Sequence, residues 1–390
     1  MYRLLMIAAL WLSVMMQPVK AETDSVRVSL LTCAPGTEIY ALFGHTALRY
    51  EDPVRGQDWV FNYGMFSFDT PNFIMRFVRG ETDYELGVAP YARFAAQYAF
   101  RGSSVYQQVL NLTTEEKQRI YQLLEENYRP ENRVYRYNYF YDNCTTRARD
   151  RVEECIGGKV VYPEAAEELS FRQIVHQYTR GHEWDELGID LCLGSEADVP
   201  IGGREQMFAP FYMLEAARRA NIVEGNSVRP LVLQEYKVVD VEPEEEEESF
   251  PLSPMQCVCI LIGISCVAGW WQIRTGRVAW LWDILLYGAQ GLAGCVIAFL
   301  MFFSVHPTVD SNWLIILLNP IPLVYLPRMI YRAVKGKKDL YHAVNVVSLT
   351  IFIIIMPFIP QKFNATILPL TLCLLLYSAS HILIYRRRNR

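Results

Sequence analysis

Two residue types in the first half of this 390-residue chain could together carry nucleophilic chemistry: a cysteine at the start of a helix and a histidine on a strand. Val134 to Tyr141 alternates and is rich in Tyr, which favours a strand. It runs into Asp142-Asn143-Cys144-Thr145-Thr146-Arg147, after which Ala148 to Cys155 is helical in character and Gly157-Gly158 ends the run. Cys144 then stands at a helix N-terminus, where unpaired N–H groups and the macrodipole favour a thiolate. A thiolate of this kind needs a proton acceptor, usually His. His45, His176 and His182 are available before the apolar half of the chain. His176 falls on an amphipathic helix and His182 in a Gly-containing loop, both ordinary structural settings. His45, between Gly44 and a β-branched residue on a predicted strand, is the preferred partner, with a core histidine as the alternative. Asn62 is chosen as the orienting third residue, because an amide on a neighbouring strand can hold imidazole in one tautomer. Tyr63, Asp69 and Asp142 compete for that place.

Counting alone offers a different account of Cys144. Cys33, Cys144, Cys155 and Cys192 make an even set in an exported segment, which suggests two disulfides with three connectivities. A Cys144–Cys155 bridge is excluded if both lie on one helix, since eleven positions separate their Cα atoms by ~16 Å and a disulfide tolerates less than ~7 Å. The other pairings stay open. No Cys-x-x-Cys pair and no His at ligand spacing points to a metal. There is no phosphate-cradling glycine loop and no dinucleotide fingerprint, so no cofactor is implied. Basic residues are interspersed with acids, which argues against nucleic acid as a partner.

The elements that must position these residues are short and mostly β at first. Val26–Leu31 reads as a strand and Thr32–Gly36 as a turn. Phe43–Tyr50 and Trp59–Tyr63 read as strands separated by the break at Asp52-Pro53 and Arg55-Gly56. Thr113-Thr114-Glu115-Glu116 matches a capping box opening a helix to about Asn127. Further helices are expected from Ser170 and over Arg204–Ala220, both for packing.

The 52% apolar content averages two unlike halves. Residues 1–21 read as a signal peptide, with an apolar stretch from Leu4 to Met16 and Val19-Lys20-Ala21 before the cleavage point. Residues 22–240 form an exported domain, and 241–250 an acidic linker kept solvated by the run Glu244–Glu248. Residues 251–390 contain five apolar runs, about Met255–Ile273, Val278–Val305, Asn312–Val334, Leu340–Ile359 and Ala365–Tyr385. Each is close to the ~20 residues needed to cross a bilayer. The turns at Arg274–Arg277 and Lys335–Lys338 and the tail Arg386–Arg390 are basic, whereas the loops at His306–Asn312 and Gln361–Asn364 are not. The positive-inside rule places the basic segments in the cytoplasm and the 22–250 segment outside. Asp283, inside the second run, is either a functional acid or a residue that snorkels to water. His306 reads as an ordinary loop residue, with lining a site as the alternative.

Several stretches taken together resemble the Lnb family of bacterial lipoprotein N-acyltransferases. They are Leu31-Thr32-Cys33-Ala34-Pro35-Gly36, Phe43-Gly44-His45, Phe61-Asn62-Tyr63-Gly64, Pro71-Asn72-Phe73 and Tyr137–Cys144, the last being the most specific. The resemblance covers most of residues 26–180, while 181–250 match nothing. It implies an α+β, circularly permuted papain-like exported domain of the lecithin:retinol acyltransferase type, followed by a bundle of five transmembrane helices in the bacterial inner membrane. It further implies Cys144 as nucleophile and His45 as base, and leaves the third member open. The expected reaction moves an acyl chain from a membrane phospholipid, through a Cys144 thioester, to the α-amino group of a diacylated lipoprotein. A membrane-anchored cysteine peptidase or amidase acting on wall peptides, and a non-enzymatic assembly factor with a structural Cys144, are the competing classes.

Overall fold

The computed structural model describes residues 25–69, 71–242 and 250–388. The expected signal peptide and residues 243–249 of the expected acidic linker lie outside the described residues.

The exported half is built on a seven-stranded antiparallel sheet. Its strands in chain order are β1 (Arg27–Cys33), β2 (His45–Asp52), β3 (Gln57–Met65), β4 (Asp83–Pro90), β5 (Val105–Leu110) and β6 (Val134–Arg136). The strand Val232–Val239 is the seventh, and the spatial order is Val232–Val239, β5, β1, β2, β3, β4, β6. Both faces are covered, so β1 is buried from Val28 to Cys33 with no polar alternation. Val28, Leu30, Leu48, Phe61 and Tyr63 face one way, against Ile120 and Leu124 of helix Thr114–Tyr128 and Ala148 and Val152 of helix Cys144–Cys155. Leu31, Cys33, Ala47 and Val60 face the other way, against Phe94 of helix Tyr91–Phe100. Each fully buried aliphatic or Phe side chain of this kind contributes ~1.5–3 kcal/mol.

Two expected elements come out differently. The strand through Val134–Tyr141 stops at Arg136, and the chain then closes a tight loop bridged at Asn138 and Asp142. The cause is Asn138, whose Oδ1 accepts from the amides of Phe140 (3.2 Å) and Tyr141 (3.1 Å) and so competes with the ladder. The helix expected over Arg204–Ala220 is broken into Gly203–Gln206 and Pro210–Arg219. Pro210 disfavours helical backbone at Ala209, which is extended at φ −88°, ψ 132°.

Among the described residues, five helices are long and apolar enough to span a bilayer: TM1 Pro254–Thr275, TM2 Trp280–Phe303, TM3 Trp313–Val334, TM4 Tyr341–Phe358 and TM5 Ile367–Ile384. TM3 is not continuous. A 3₁₀ turn at Trp313–Ile316 gives way to an α-helix only from Ile321. The break lies against TM2 at Gly294, where a Cβ would fall 2.1 Å from the Asn319 carbonyl carbon, so only glycine permits the approach. Asp283 does not snorkel. It is 1% exposed, accepts from Tyr377 Oη at 2.8 Å and lies 3.0 Å from His381 Nε2, inside the bundle.

The outward loops of the bundle dock directly on the exported domain. Gly194 N–H donates to Thr308 O (2.6 Å), Asn312 Nδ2 to Leu191 O (2.8 Å), Gln361 Nε2 to Leu193 O (3.0 Å) and Lys362 N–H to Asp198 Oδ2 (3.0 Å). The loops poor in positive charge are thus on the side of the domain, in agreement with their charge.

Candidate active site

Cys144 is the first residue of its helix, and Asn143 is the cap. Asn143 Oδ1 accepts from the amides of Thr145 (2.8 Å) and Thr146 (2.9 Å), and Thr146 Oγ1 accepts from Asn143 N–H (2.8 Å). The Asn143 amide nitrogen donates to Tyr139 O (2.8 Å) and Phe208 O (2.9 Å), which fixes the cap to two other segments. The amide of Cys144 itself is the first-turn N–H that Asn143 does not engage.

His45 opens β2, opposite Cys33 of β1. The chain enters this strand through Gly44 at φ +74°, where a Cβ would sit 2.5 Å from the Cys33 carbonyl oxygen. His45 Nε2 contacts Asn62 Oδ1 on β3. With Nε2–H donated to Asn62, Nδ1 is left to accept the thiol proton. The β3 backbone just past Asn62 borders the cysteine: a Cβ on Gly64 would lie 3.6 Å from Cys144 Cβ and 4.0 Å from Tyr135 Oη. The helix is locked to β2 by Thr145 Oγ1 and Thr46 Oγ1, 3.1 Å apart.

The four exported cysteines are free thiols, so the two-disulfide arrangement is not formed. Their acidities differ in sign. Burial pushes the Cys33 thiol up, that of Cys155 up to about 12, and that of Cys192 up. Burial acts on Cys144 in the same direction. There it is outweighed by the charge and hydrogen bond of His45, the Thr46 amide and the Thr145 hydroxyl, and the thiol is drawn down from 9.0 to about 7. His45 shows the reciprocal effect: burial lowers it, but Cys144 and Asn62 raise it above 6.5.

The competing residues are engaged elsewhere. Tyr63 Oη donates to Asn127 Oδ1 (2.7 Å), and Asp142 forms a two-bond pair with Arg147 (2.6 and 2.8 Å). Asp69 is exposed. His182 lies 3.7 Å from Asp185. His176 lies 2.9 Å from Asp190 Oδ1, and with Glu186 these groups come within 4.8 Å of one another, close enough to suggest a cation site. Arg172 already donates to the same Asp190 oxygen at 2.6 Å, and Asn364 to the other at 3.1 Å. The cluster is therefore part of the docking seam, with a guanidinium where a cation would stand.

Tyr135 is a residue that the sequence did not single out. It is buried, its Oη has no hydrogen-bond partner among the described residues, and it lies beside Cys144. Leaving a buried hydroxyl unpaired costs ~1–3 kcal/mol, which makes it an available donor. Its signal was the Tyr135-Tyr137-Tyr139 alternation, which fixes a face without indicating what the hydroxyl meets.

Comparison with known protein families gives two matches. The model of the Lnb N-terminal periplasmic domain covers residues 18–177, and that of the Lnb transmembrane domain covers 245–388. No curated protein and no solved structure matches the chain. With both halves matched in order, and with a sheet-containing exported domain followed by five apolar helices, the chain belongs to the Lnb family.

Proposed function

We propose that the protein is a lipoprotein N-acyltransferase that carries an acyl chain on Cys144. The observation that carries this reading is the contrast among the exported thiols: Cys144 alone is drawn down, and His45 is the group that does it. The site also belongs to a domain hydrogen-bonded to the outward loops of a five-helix bundle, within reach of membrane lipid. A hydrolase of wall peptides would need no more than a tether.

In the first half-reaction the Cys144 thiolate attacks an ester carbonyl of a phospholipid. The Cys144 amide and Tyr135 Oη are the donors available to the oxyanion. As the carbonyl re-forms, the C–O bond breaks and protonated His45 gives its proton to the lysophospholipid oxygen, leaving a thioester. In the second, the α-amino group of a diacylated lipoprotein attacks the thioester. A C–N bond forms, the C–S bond breaks, and His45 takes the proton lost by the amine. Asn62 keeps the imidazole oriented through both steps. No cofactor enters, and the partners are the phospholipid donor, the lipoprotein acceptor and the inner membrane in which the bundle sits.

Intact-mass measurement of the protein in phospholipid vesicles without acceptor tests this. The expected result is one acyl adduct on Cys144, discharged by a diacylated lipopeptide and missing in Cys144→Ala. An unmodified Cys144, or cleavage of wall peptides with no adduct, would overturn it.

A further inference from the structure

Among the described residues, an apolar stretch near the site is left largely exposed. Helix Phe73–Val78 has no buried residue. Ile74 is 78% exposed, and Phe68, Met75 and Phe77 are exposed with it. This stretch is fixed at the membrane end of the domain. His306 Nε2 donates to Phe77 O at 2.6 Å, and Val305 N–H donates to Arg79 O at 2.9 Å. Val305 and His306 follow TM2 after Ser304, and the last residues of TM2, Phe302 and Phe303, are exposed. The apolar stretch is thus continuous with the surface of a membrane-spanning helix. Arg79, exposed beside it, suits the headgroup level.

From this point a row of rings leads inward. Phe77, Phe73, Phe66, Tyr84 and Tyr137 follow one another with ring centroids 6.0, 5.8, 5.1 and 4.2 Å apart. Tyr137 ends the row at Gly64, where a single added Cβ would touch both its ring and Cys144 Cβ at 3.6 Å. Rings laid end to end from Phe77 to Tyr137 form an apolar wall that ends beside Cys144, a surface suited to an acyl chain. A polar peptide would gain little from it.

We propose that the Phe68 and Phe73–Val78 region is a lip inserted into the extracytoplasmic leaflet. One acyl chain of a phospholipid lies along Phe77, Phe73, Phe66, Tyr84 and Tyr137 to present its ester to Cys144. The acyl-delivery half rests on the function proposed above, whereas insertion of the lip does not. Insertion of apolar side chains anchors the segment, and confinement of the chain raises the frequency of productive encounters.

The test uses the full-length Cys144→Ala protein in vesicles containing phospholipid with a diazirine near the end of one acyl chain. After illumination, adducts are mapped by peptide mass spectrometry. Adducts within residues 66–78 and on Tyr84 or Tyr137 are expected, and adducts confined to the five spans would overturn the proposal. In parallel, Ile74→Glu in the otherwise native chain is expected to slow phospholipid loading of Cys144 by about tenfold or more. Val54→Glu, on the distant β2–β3 hairpin, is expected to slow it less than about twofold. Alkylation of Cys144 by iodoacetamide at the native rate shows that Ile74→Glu is folded. If it is not, the cross-linking pattern decides. The two readings fail separately. Lip adducts without any acyl loading in the native chain would sink the acyltransferase and leave the lip. Loading with adducts only on the spans would do the reverse.

Discussion

His45 Nε2 donates to Asn62 Oδ1 beyond the last residues that pair β2 with β3, Leu48 and Phe61, three positions on along β2 and one along β3. The contact is therefore made by side chains where the β2–β3 ladder has ended, while each residue stays paired on its other side, His45 with Cys33 and Asn62 with Gly87. Asn62→Ala should leave the sheet intact and slow thioester formation by about a hundredfold, the scale of a small misplacement of a reacting group. Single-turnover mass measurements would check this, and a rate close to native would remove Asn62 from the site.

The acidity of Cys144 gives a pH prediction. A thiol drawn down to about 7 is mostly thiolate above that pH and loses reactivity as pH falls through it. The rate of iodoacetamide alkylation should therefore rise with a midpoint near 7. In His45→Ala only burial and the weaker Thr46 and Thr145 contacts remain, so the midpoint should move upward. A native midpoint near the ordinary value of 9.0 would show that His45 does not act on this thiol.

Tyr135→Phe removes a hydroxyl with no partner among the described residues, so folding should be unaffected or slightly improved. If the hydroxyl serves the oxyanion, loading should slow by about a hundredfold with little change in half-saturation by phospholipid. Steady-state analysis in mixed micelles separates the two parameters. An unchanged maximal rate would assign the oxyanion to backbone donors alone.

Arg172 tests the seam. It is 2% exposed and donates to Asp190 (2.6 Å), Asp198 (3.0 Å) and the carbonyls of Leu193 and Gly194. Arg172→Ala leaves two buried carboxylates without their cation, which should cost ~3–5 kcal/mol. Arg27→Ala breaks an exposed pair with Glu51 at 2.7 Å and should cost ~0–1 kcal/mol. Thermal unfolding in detergent compares them, and equal shifts would contradict the assignment of Arg172 to a buried cluster.

Local chemistry was readable from the sequence. Thr113 and Ser170 cap the helices their capping boxes announced, and Cys144 stands where a Tyr-rich run meets a helix start. The two strands carrying His45 and Asn62 were legible by alternation and are neighbours in the sheet. What escaped was decided by groups distant in sequence. The Asp283 side chain is buried because Tyr377 and His381, about a hundred positions away, reach it. Residues 181–240 resembled nothing in the family and offered only the helix expected over Arg204–Ala220, yet they supply both the edge strand Val232–Val239 and the Leu191–Asp198 surface on which the bundle loops rest. That surface is recognised only through its partners in the bundle loops. TM3 kept the hydropathy of a span while its helix is interrupted, because apolarity does not report whether Gly294 of another span occupies the gap.

The placement of the strand Val232–Val239 sets an order of biosynthesis. β1 emerges early yet ends between β2 and β5, and the last strand then closes the edge of β5. Every strand of the sheet is thus translated before Pro254, the first residue of TM1. The exported half has every strand of its sheet before any span is made. Its seam is still incomplete: Thr308, Asn312, Gln361 and Asn364 arrive only with the later spans. A newly exported domain therefore lacks the last donors to the two carboxylates held by Arg172, the Asn364 amide and the Lys362 N–H, until the segment leading into the fifth span is made.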